Sequence, residues 1–176
     1  YTWYNIEEGL FMEKILVDEI GYEQFFDELN KLKILFSNNA SDGSQAYNDA
    51  VGDGWHDNFA FEEAMRKGRN IATRIDKMLA EQHKLKRVEK QNVSENIINI
   101  DDIVKIRITY DVNDIEEYLL KLTGKYLPDS NADIQEISLN CPIGKSIYLR
   151  HINDDLWCEV NNKKVKIRIL EIIRKQ

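Results

Sequence analysis

The residues best suited to chemistry are two carboxylates in a short segment that reads VGDGWHDNFAFEE, residues 51–63. Asp53 and Asp57 offer hard oxygen ligands of the kind that Mg²⁺ prefers in proteins. Two monodentate carboxylates make only a weak magnesium site, because the ion keeps most of its waters. The sequence therefore predicts that these two acids hold a metal only where a partner supplies the remaining ligands.

The same segment contains residues that could shape a turn around the acids. Gly54 gives the backbone conformational freedom, and Asn58 is a residue type that commonly caps a following helix. His56 could act as a hydrogen-bond donor or proton carrier, although a solvated turn histidine is the simpler interpretation. Whether Asp49 takes part depends on where the first helix ends. Three aromatic side chains could pin the turn against the adjoining helices: Trp55, Phe59 and Phe61.

Several familiar ligand motifs are excluded by spacing. Asp49, Asp53 and Asp57 recur every fourth residue, whereas a calcium loop needs acids at alternate positions. The Gly-Lys-Ser run at 144–146 resembles a phosphate-binding loop, but Leu139 occupies the position where that loop needs a glycine. The three histidines are scattered and show no zinc-ligand spacing.

Charge and composition limit the classes of partner. Residues 1–63 contain 14 acids and 3 bases, a net charge of −11, while the remainder has 17 acids and 21 bases, a net charge of +4. The acidic half would be repelled by nucleic-acid phosphates, so we expect no direct sequence-specific nucleic-acid binding. No apolar run is long enough to predict a membrane span. Cys141 and Cys158 are predicted to be reduced thiols in a cytoplasmic protein.

Two helices are predicted to position the acidic segment. Apolar residues recur at steps of three and four on both sides of it, which predicts an antiparallel helical coiled-coil hairpin over residues 15–92. We call residues 49–58 the tip. Ser37–Ser44 is a poor helix former, so the first helix is expected to fray or break there. The two periodic sets are Tyr22, Phe25, Leu29, Leu32, Phe36, Ala40, Gly43, Tyr47 and Ala50, and then Ala64, Gly68, Ile71, Ile75, Met78, Gln82 and Leu85.

The size of these periodic residues changes along the hairpin. They are bulky at the open end, with Phe25, Leu29, Leu79 and Leu85, and small near the tip. Small residues let helices approach closely, so the hairpin is expected to narrow towards its tip. A tapered rod of this kind could enter a narrow opening in another molecule. The alternative is an ordinary helical pair packed against a globular domain.

The carboxy-terminal half, residues 97–176, changes to a period of two. Residues 103–110 alternate apolar and polar, which predicts a strand with one solvated face, and residues 118–122 are a second candidate. Residues 156–160 and 165–169 flank Asn161-Asn162, a hairpin signature. Residues 142–149 suit a short helix with proline in its first turn. Together with the helices, this predicts an α+β fold with a small, mainly antiparallel sheet and one short helix.

Four stretches of the chain resemble the GreA/GreB family of bacterial transcript-cleavage factors. They are GYEQFFDELNKLK (21–33), GDGWHDNFAFEEA (52–64), IATRIDKML (71–79) and ISLNCPIGKSI (137–147). The resemblance implies an FKBP-like carboxy-terminal domain that docks at the rim of the secondary channel of bacterial RNA polymerase. It further implies that the hairpin of a monomeric factor passes down this channel to the catalytic centre.

The resemblance also implies roles for individual residues. Asp53 matches the first tip acid of the family, and Asp57-Asn58 matches its Glu-Asn pair if one residue is inserted. These carboxylates would help hold a Mg²⁺ shared with RNA polymerase and stimulate cleavage of backtracked RNA, so the factor would be an accessory and not an enzyme. The docking signature would be the run at 141–144: Cys141, Pro142, Ile143 and Gly144. Cys141 stands where the family has serine and is expected to be a packing change.

Two other interpretations stay open. Three residues, 54–56, separate the acids where the family has two, and Asp57 is shorter than glutamate, so the chain could be a Gre-like regulator that occupies the channel without supporting cleavage. A third class is an FKBP-like binding or prolyl-isomerase module with a helical appendage. Residues 1–14 are expected to be an extension, and a purine-rich codon pattern before Met12 suggests that translation starts there. The alternative is a true extension whose aromatic residues pack on the base of the hairpin.

Overall fold

The computed structural model describes residues 14–49 and 58–174. Two long helices form the first part, α1 at Glu19–Asp49 and α2 at Phe59–Gln82. They run antiparallel, because contacts between them join rising residue numbers on α1 to falling residue numbers on α2. Arg74 is bonded to Glu28, the Asn39 amide donates to the Ala64 carbonyl, and Asn58 donates to Ala46. The predicted hairpin is confirmed.

The buried contact between the helices lies at their open end. Phe25, Leu29, Leu32 and Met78 form this small core, and Tyr126 of the second half packs against it. The sequence prediction placed Leu79 here, and this is wrong, because Leu79 is 39% exposed. In a helix the next residue points about 100° away, so Met78 and Leu79 cannot both face α1.

Towards the tip, the expected pattern and the structure differ in two ways. First, α1 continues through residues 37–44 without the predicted break. The bond from Asn39 to Ala64 ties this stretch to α2, and the Ser44 hydroxyl bonds the Ala40 carbonyl within the helix. Tertiary contacts here override weak helix propensity. Second, Phe36 and Tyr47 are 42% and 59% exposed and not part of a buried contact.

A pair of short strands joins the base of the hairpin. β1 at Ile15–Val17 pairs in parallel with β2 at Leu85–Arg87. The sequence prediction continued the second helix to Leu85, which is wrong, because α2 ends at Gln82 and Leu85 faces Ile15 across the two strands. Pairing with β1 satisfies the backbone that a longer helix would otherwise have bonded internally.

The second half is a five-stranded sheet in the order β5-β4-β3-β7-β6. Its strands are β3 at Ile103–Asp111, β4 at Asp114–Thr123, β5 at Gln135–Ser138, β6 at Asp155–Val160 and β7 at Lys163–Ile173. All neighbours pair antiparallel except β4 and β5, which are parallel. The predicted α+β fold with a mainly antiparallel sheet is confirmed, and β5 is a strand that the sequence did not indicate.

The predicted turn and the predicted short helix of this half are both confirmed. Asn161 and Asn162 connect β6 to β7 with φ values of 52° and 61°, the left-handed pair that a two-residue hairpin turn requires. The short helix α3 spans Pro142–Ile147 and has proline in its first turn. Its Ile147 packs on one face of the sheet, where the alternating residues of β3 and β7 are buried.

Candidate functional site

The described part of the tip is organised by Asn58. Its side-chain oxygen accepts a hydrogen bond from the Phe61 backbone N–H at 3.0 Å, which caps the start of α2 as predicted. Its side-chain nitrogen donates to the Ala46 carbonyl on α1 at 2.8 Å. One amide therefore both begins α2 and ties it to the last turns of α1.

The predicted acids lie in the segment between these two anchored helix ends. Asp53, Asp57 and their neighbours Gly54, Trp55 and His56 fall outside the described residues. The structure fixes the ends of the segment: α1 ends at Asp49, and Asn58 immediately precedes α2. The bond between Asn58 and Ala46 therefore holds together the two helix ends that the acids connect.

The aromatic residues beside the tip do not behave alike. The ring of Phe61 on α2 lies 5.7 Å from the ring of Tyr47 on α1, which is the cross-helix contact predicted for a pinned turn. Phe59, in contrast, is 79% exposed. Its predicted packing on the helices is wrong, because the first turn of α2 directs it away from α1.

A groove with mainly apolar walls runs between the helices next to the tip. It encloses about 730 Å³ and is lined by side chains that include Phe36, Tyr47 and Met65. At its floor the helices approach closely, since a Cβ placed on Gly43 would lie 3.4 Å from the Cβ of Ala64. This agrees with the predicted close approach at the small residues.

We expect Asn58→Ala to lower the free energy of unfolding by about 1 to 2 kcal/mol, because it removes both a helix cap and a bond between the helices. Asn58→Asp keeps the cap acceptor and loses only the donor to Ala46, so its loss should be smaller. Urea unfolding of the three proteins measures the difference. Equal losses for both variants would mean that the cap bond to Phe61 contributes nothing and that the whole loss comes from the bond to Ala46.

The carboxy-terminal signature, 141–144, has internal structural roles. The Cys141 sulfur accepts a hydrogen bond from the Gly144 N–H at 3.2 Å and so caps α3. The cysteine acts as an N-cap, as serine would, and the expectation that it is a packing change relative to the family's serine stays a prediction. Gly144 is buried, Ile143 packs against the sheet core and Pro142 is exposed.

The two cysteines are both free thiols. Cys158 on β6 faces the sheet core, and burial raises the pKa of its thiol. A raised pKa disfavours the thiolate that nucleophilic chemistry needs. Nothing in this geometry therefore points to cysteine catalysis at Cys158.

Buried acids in the sheet domain are fully partnered. Glu136 is 4% exposed at its side chain and bonds Lys125, Lys121 and the backbone N–H of Asp129. Burial alone would raise the pKa of Glu136, but these hydrogen bonds more than offset it and lower the pKa below its usual value. This acid anchors the loop between β4 and β5 and has no free oxygen position for catalysis.

The described residues contain neither a candidate metal site nor a candidate membrane-spanning helix. Among residues 14–49 and 58–174, no group of three or more His, Cys, Asp or Glu side chains could hold a metal ion. Within the same described ranges, neither long helix is apolar enough to cross a membrane.

The sequence did not single out the residues that join the two halves of the molecule. Asn140 bonds both backbone groups of Leu16, and Gly21 lies directly against Gly124. Gly21 begins one of the stretches on which the family resemblance rests, residues 21–33. Asn140 lies within another, residues 137–147, but nothing in its residue type or spacing indicated a contact with Leu16.

Comparison with known proteins finds a sequence relative of similar length. The chain is 28% identical over 153 residues to the transcription elongation factor GreA of Lachnoclostridium phytofermentans, which covers 86% of this chain and 91% of that protein. No family model matches the chain.

Solved structures of proteins named as Gre factors or Gre-factor homologues also align with most of the chain. The GreA factor homolog Gfh1 of Thermus thermophilus is 17% identical, with 92% of this chain and 99% of that chain covered and a TM-score of 0.38. A GreA/GreB factor from Nitrosomonas europaea is 16% identical, with 92% and 100% covered and a TM-score of 0.38. Scores this low add no argument about the fold. On its sequence match and its four motif stretches, the chain is GreA/GreB-like along most of its length.

Proposed function

We propose that this protein is a Gre-type transcription elongation factor that binds bacterial RNA polymerase in the cytoplasm and stimulates cleavage of backtracked RNA. The observation that carries the proposal is the match to a GreA protein over 153 residues, which includes both the hairpin and the sheet domain. The protein would work as an accessory, with the polymerase supplying the active site.

The dimensions of the hairpin support entry into a deep, narrow channel. At 1.5 Å per residue, α1 is about 46 Å long. Its buried core lies at the open end, while Gly43 and Ala64 are in close contact further along. A rod of this length that buries few residues contributes little to a core, so a role in reaching a distant site explains its shape better.

The donor set of the tip fits a shared magnesium ion. Asp53 and Asp57 supply two carboxylates, and Mg²⁺ favours such oxygen ligands with the rest of its shell completed by water or a partner. A magnesium ion held by Asp53, Asp57 and the polymerase would supply an activated water and stabilisation of the leaving oxygen. The contribution of this chain is to present the carboxylates, with Asn58 holding α1 and α2 together beside them.

A second candidate is a Gre-like regulator that occupies the same channel without promoting cleavage. The observation that favours it is the spacing of the acids. Three residues, 54–56, lie between them where the family has two, and Asp57 is shorter than the family's glutamate. Misplacement of a catalytic group by about 1 Å can reduce a rate by about 100-fold.

The test uses a backtracked elongation complex with labelled RNA, magnesium and the cognate polymerase. We expect the wild-type protein to shorten the RNA rapidly and the Asp53→Ala, Asp57→Ala double variant to be slower by about 100-fold or more. Binding of the double variant to polymerase should persist. The matched control is Asp42→Ala, Asp76→Ala, which changes the charge equally on α1 and α2 outside the tip and should cleave like wild type.

The outcomes separate the candidates. Binding by wild type without RNA shortening would support the regulator that occupies the channel. Equal cleavage by wild type and the tip variant would contradict the assignment of the two acids. Absence of any binding to polymerase would overturn both candidates and favour the FKBP-like binding module.

A further inference from the structure

The side chain of Asn140 completes the edge of β1. Its oxygen accepts from the Leu16 N–H at 2.7 Å, and its nitrogen donates to the Leu16 carbonyl at 2.7 Å. The other edge of β1 is already bonded, through Ile15 to Lys84 and through Val17 to Val88. Asn140 therefore acts as a one-residue third strand that joins the hairpin base to the sheet domain across 124 positions of sequence.

A second contact lies directly beside the first. The Asp18 N–H donates to the Gly124 carbonyl at 2.9 Å, and the Asp18 carboxylate caps α1 by accepting from the Gly21 N–H at 2.6 Å. A Cβ on Gly21 would lie 2.3 Å from the Gly124 carbonyl oxygen, and one on Gly124 would lie 2.7 Å from the Asp18 nitrogen. The backbone at the start of α1 is thus in direct contact with the backbone of Gly124, the residue that follows β4.

A third contact holds the open end of both helices. Tyr126, which follows Gly124 in the chain, places its ring 5.0 Å from Phe25 of α1 in an edge-on arrangement. Its hydroxyl bonds Glu81 of α2 at 3.2 Å. We call the set formed by Leu16, Gly21, Gly124, Tyr126 and Asn140 the junction.

We propose that Asn140 is a positioning residue that, with the Gly21–Gly124 contact, fixes the direction in which the hairpin leaves the sheet domain. The three contacts tie β1, the start of α1 and the open end of both helices to the sheet domain, so a rotation about one contact would break the others. The inference deepens the proposed function and rests on it for its consequence: a docked sheet domain would then set where the far end of the hairpin arrives.

The length of the hairpin makes this restriction consequential. On a lever of about 46 Å, a rotation of only about 1° at the junction moves the far end by about 1 Å. Displacements of this size are the ones that reduce catalytic rates by about 100-fold. A flexible junction would therefore spread the positions of the far end over many ångströms. A smaller fraction of bound molecules would then place that end correctly for cleavage.

The direct test measures the distance between the two halves in the free protein. Spin labels are placed through Lys67→Cys on α2 and Lys163→Cys on β7, in a background with Cys141→Ser and Cys158→Ala. Pulsed electron resonance should give one narrow distance distribution, and Asn140→Ala should at least double its width. Asn140→Asp, which keeps the acceptor for Leu16 and loses the donor, should give an intermediate width. The matched control Asn92→Ala, at an exposed asparagine, should leave the width unchanged.

A purely stabilising role makes a different prediction. In that case Asn140→Ala would lower the melting temperature and leave the distance distribution of the folded protein as narrow as before, which would overturn the proposal. If Asn140→Ala does not fold, the same comparison is made with Asn140→Asp, and an unchanged width there would overturn it equally.

A kinetic arm then tests the consequence for transcription. On the backtracked complex, Asn140→Ala should lower the maximal rate of RNA cleavage by about 10-fold or more, while the concentration that gives half-maximal binding to polymerase changes little. A loss of affinity with an unchanged maximal rate would contradict the positioning role. Because the distance measurement uses no polymerase, a broadened distribution would stand even if the wild-type protein proved unable to stimulate cleavage.

Discussion

Replacing Gly144 with alanine is expected to destabilise the sheet domain by about 3 kcal/mol or more, because the new methyl group has no space. A Cβ at this position would lie 2.1 Å from the Ser138 carbonyl oxygen and 3.3 Å from the Cys141 sulfur. The nearest atom is backbone and belongs to the end of β5, so no side-chain rotation relieves the overlap. Relief requires α3 to move off the strand, which disturbs its packing on the sheet.

Gly43→Ala is the matched control for this prediction. Gly43 is also buried, but a Cβ there meets only the Ala64 methyl group at 3.4 Å, an ordinary contact distance. Alanine in a helix interior gains about 0.5 to 1 kcal/mol over glycine, so this variant should be neutral or slightly stabilised. Urea unfolding followed by circular dichroism compares both variants with wild type. A Gly144→Ala protein as stable as wild type would show that α3 can move away from β5 at little cost.

The second large effect is expected from Arg174→Met, which should lower the free energy of unfolding by about 3 kcal/mol or more. The Arg174 guanidinium makes two bonds of 3.0 Å to the carboxylate of Asp102 and a third of 2.7 Å to the Ile97 carbonyl. The Asp102 side chain is only 1% exposed. Removing the arginine leaves a buried carboxylate with one N–H, from Asn99, and Lys90 at 3.9 Å.

A double-mutant cycle identifies the cause of that loss. In Asp102→Asn, Arg174→Met the buried charge is absent, so much of the stability lost in Arg174→Met should return. The surface control is Arg66→Met, which breaks an exposed pair with Glu63 on α2 and should leave the unfolding midpoint almost unchanged. No recovery in the double variant would mean that Arg174 acts through packing or its bond to Ile97 and not through charge.

Local features of the fold were predictable because their signals are local. Asn161-Asn162 can adopt left-handed backbone at low cost, so the β6–β7 hairpin follows from two residues. Pro142 and the side-chain acceptor before it begin α3 in the same way. Asn58 was identified as a helix cap for the same reason, since the cap bond spans only three residues.

Features that depend on contacts between distant residues were not predictable from the local sequence. The stretch at 37–44 has poor helix propensity, and only the bond from Asn39 to Ala64 of the facing helix explains why α1 continues. Leu85 fits the helical period, yet it lies in β2 because β1, about 70 positions earlier, is available to pair with it. Leu79 and Met78 are both apolar, and the crossing of the helices selects which of them is buried.

The sequence by itself determined the class of the fold, the antiparallel hairpin, the acidic segment between its helices and the resemblance to GreA/GreB factors, because periodicity, turn chemistry and charge are written in neighbouring residues. Only the tertiary structure decided how the hairpin is joined to the sheet domain. Asn140 and Leu16 become partners, and Gly21 meets Gly124, only when segments more than 100 positions apart are brought together. A polar side chain in a loop or a glycine at a helix start does not indicate its distant partner. The reason is that the free energy of each contact depends on both residues together.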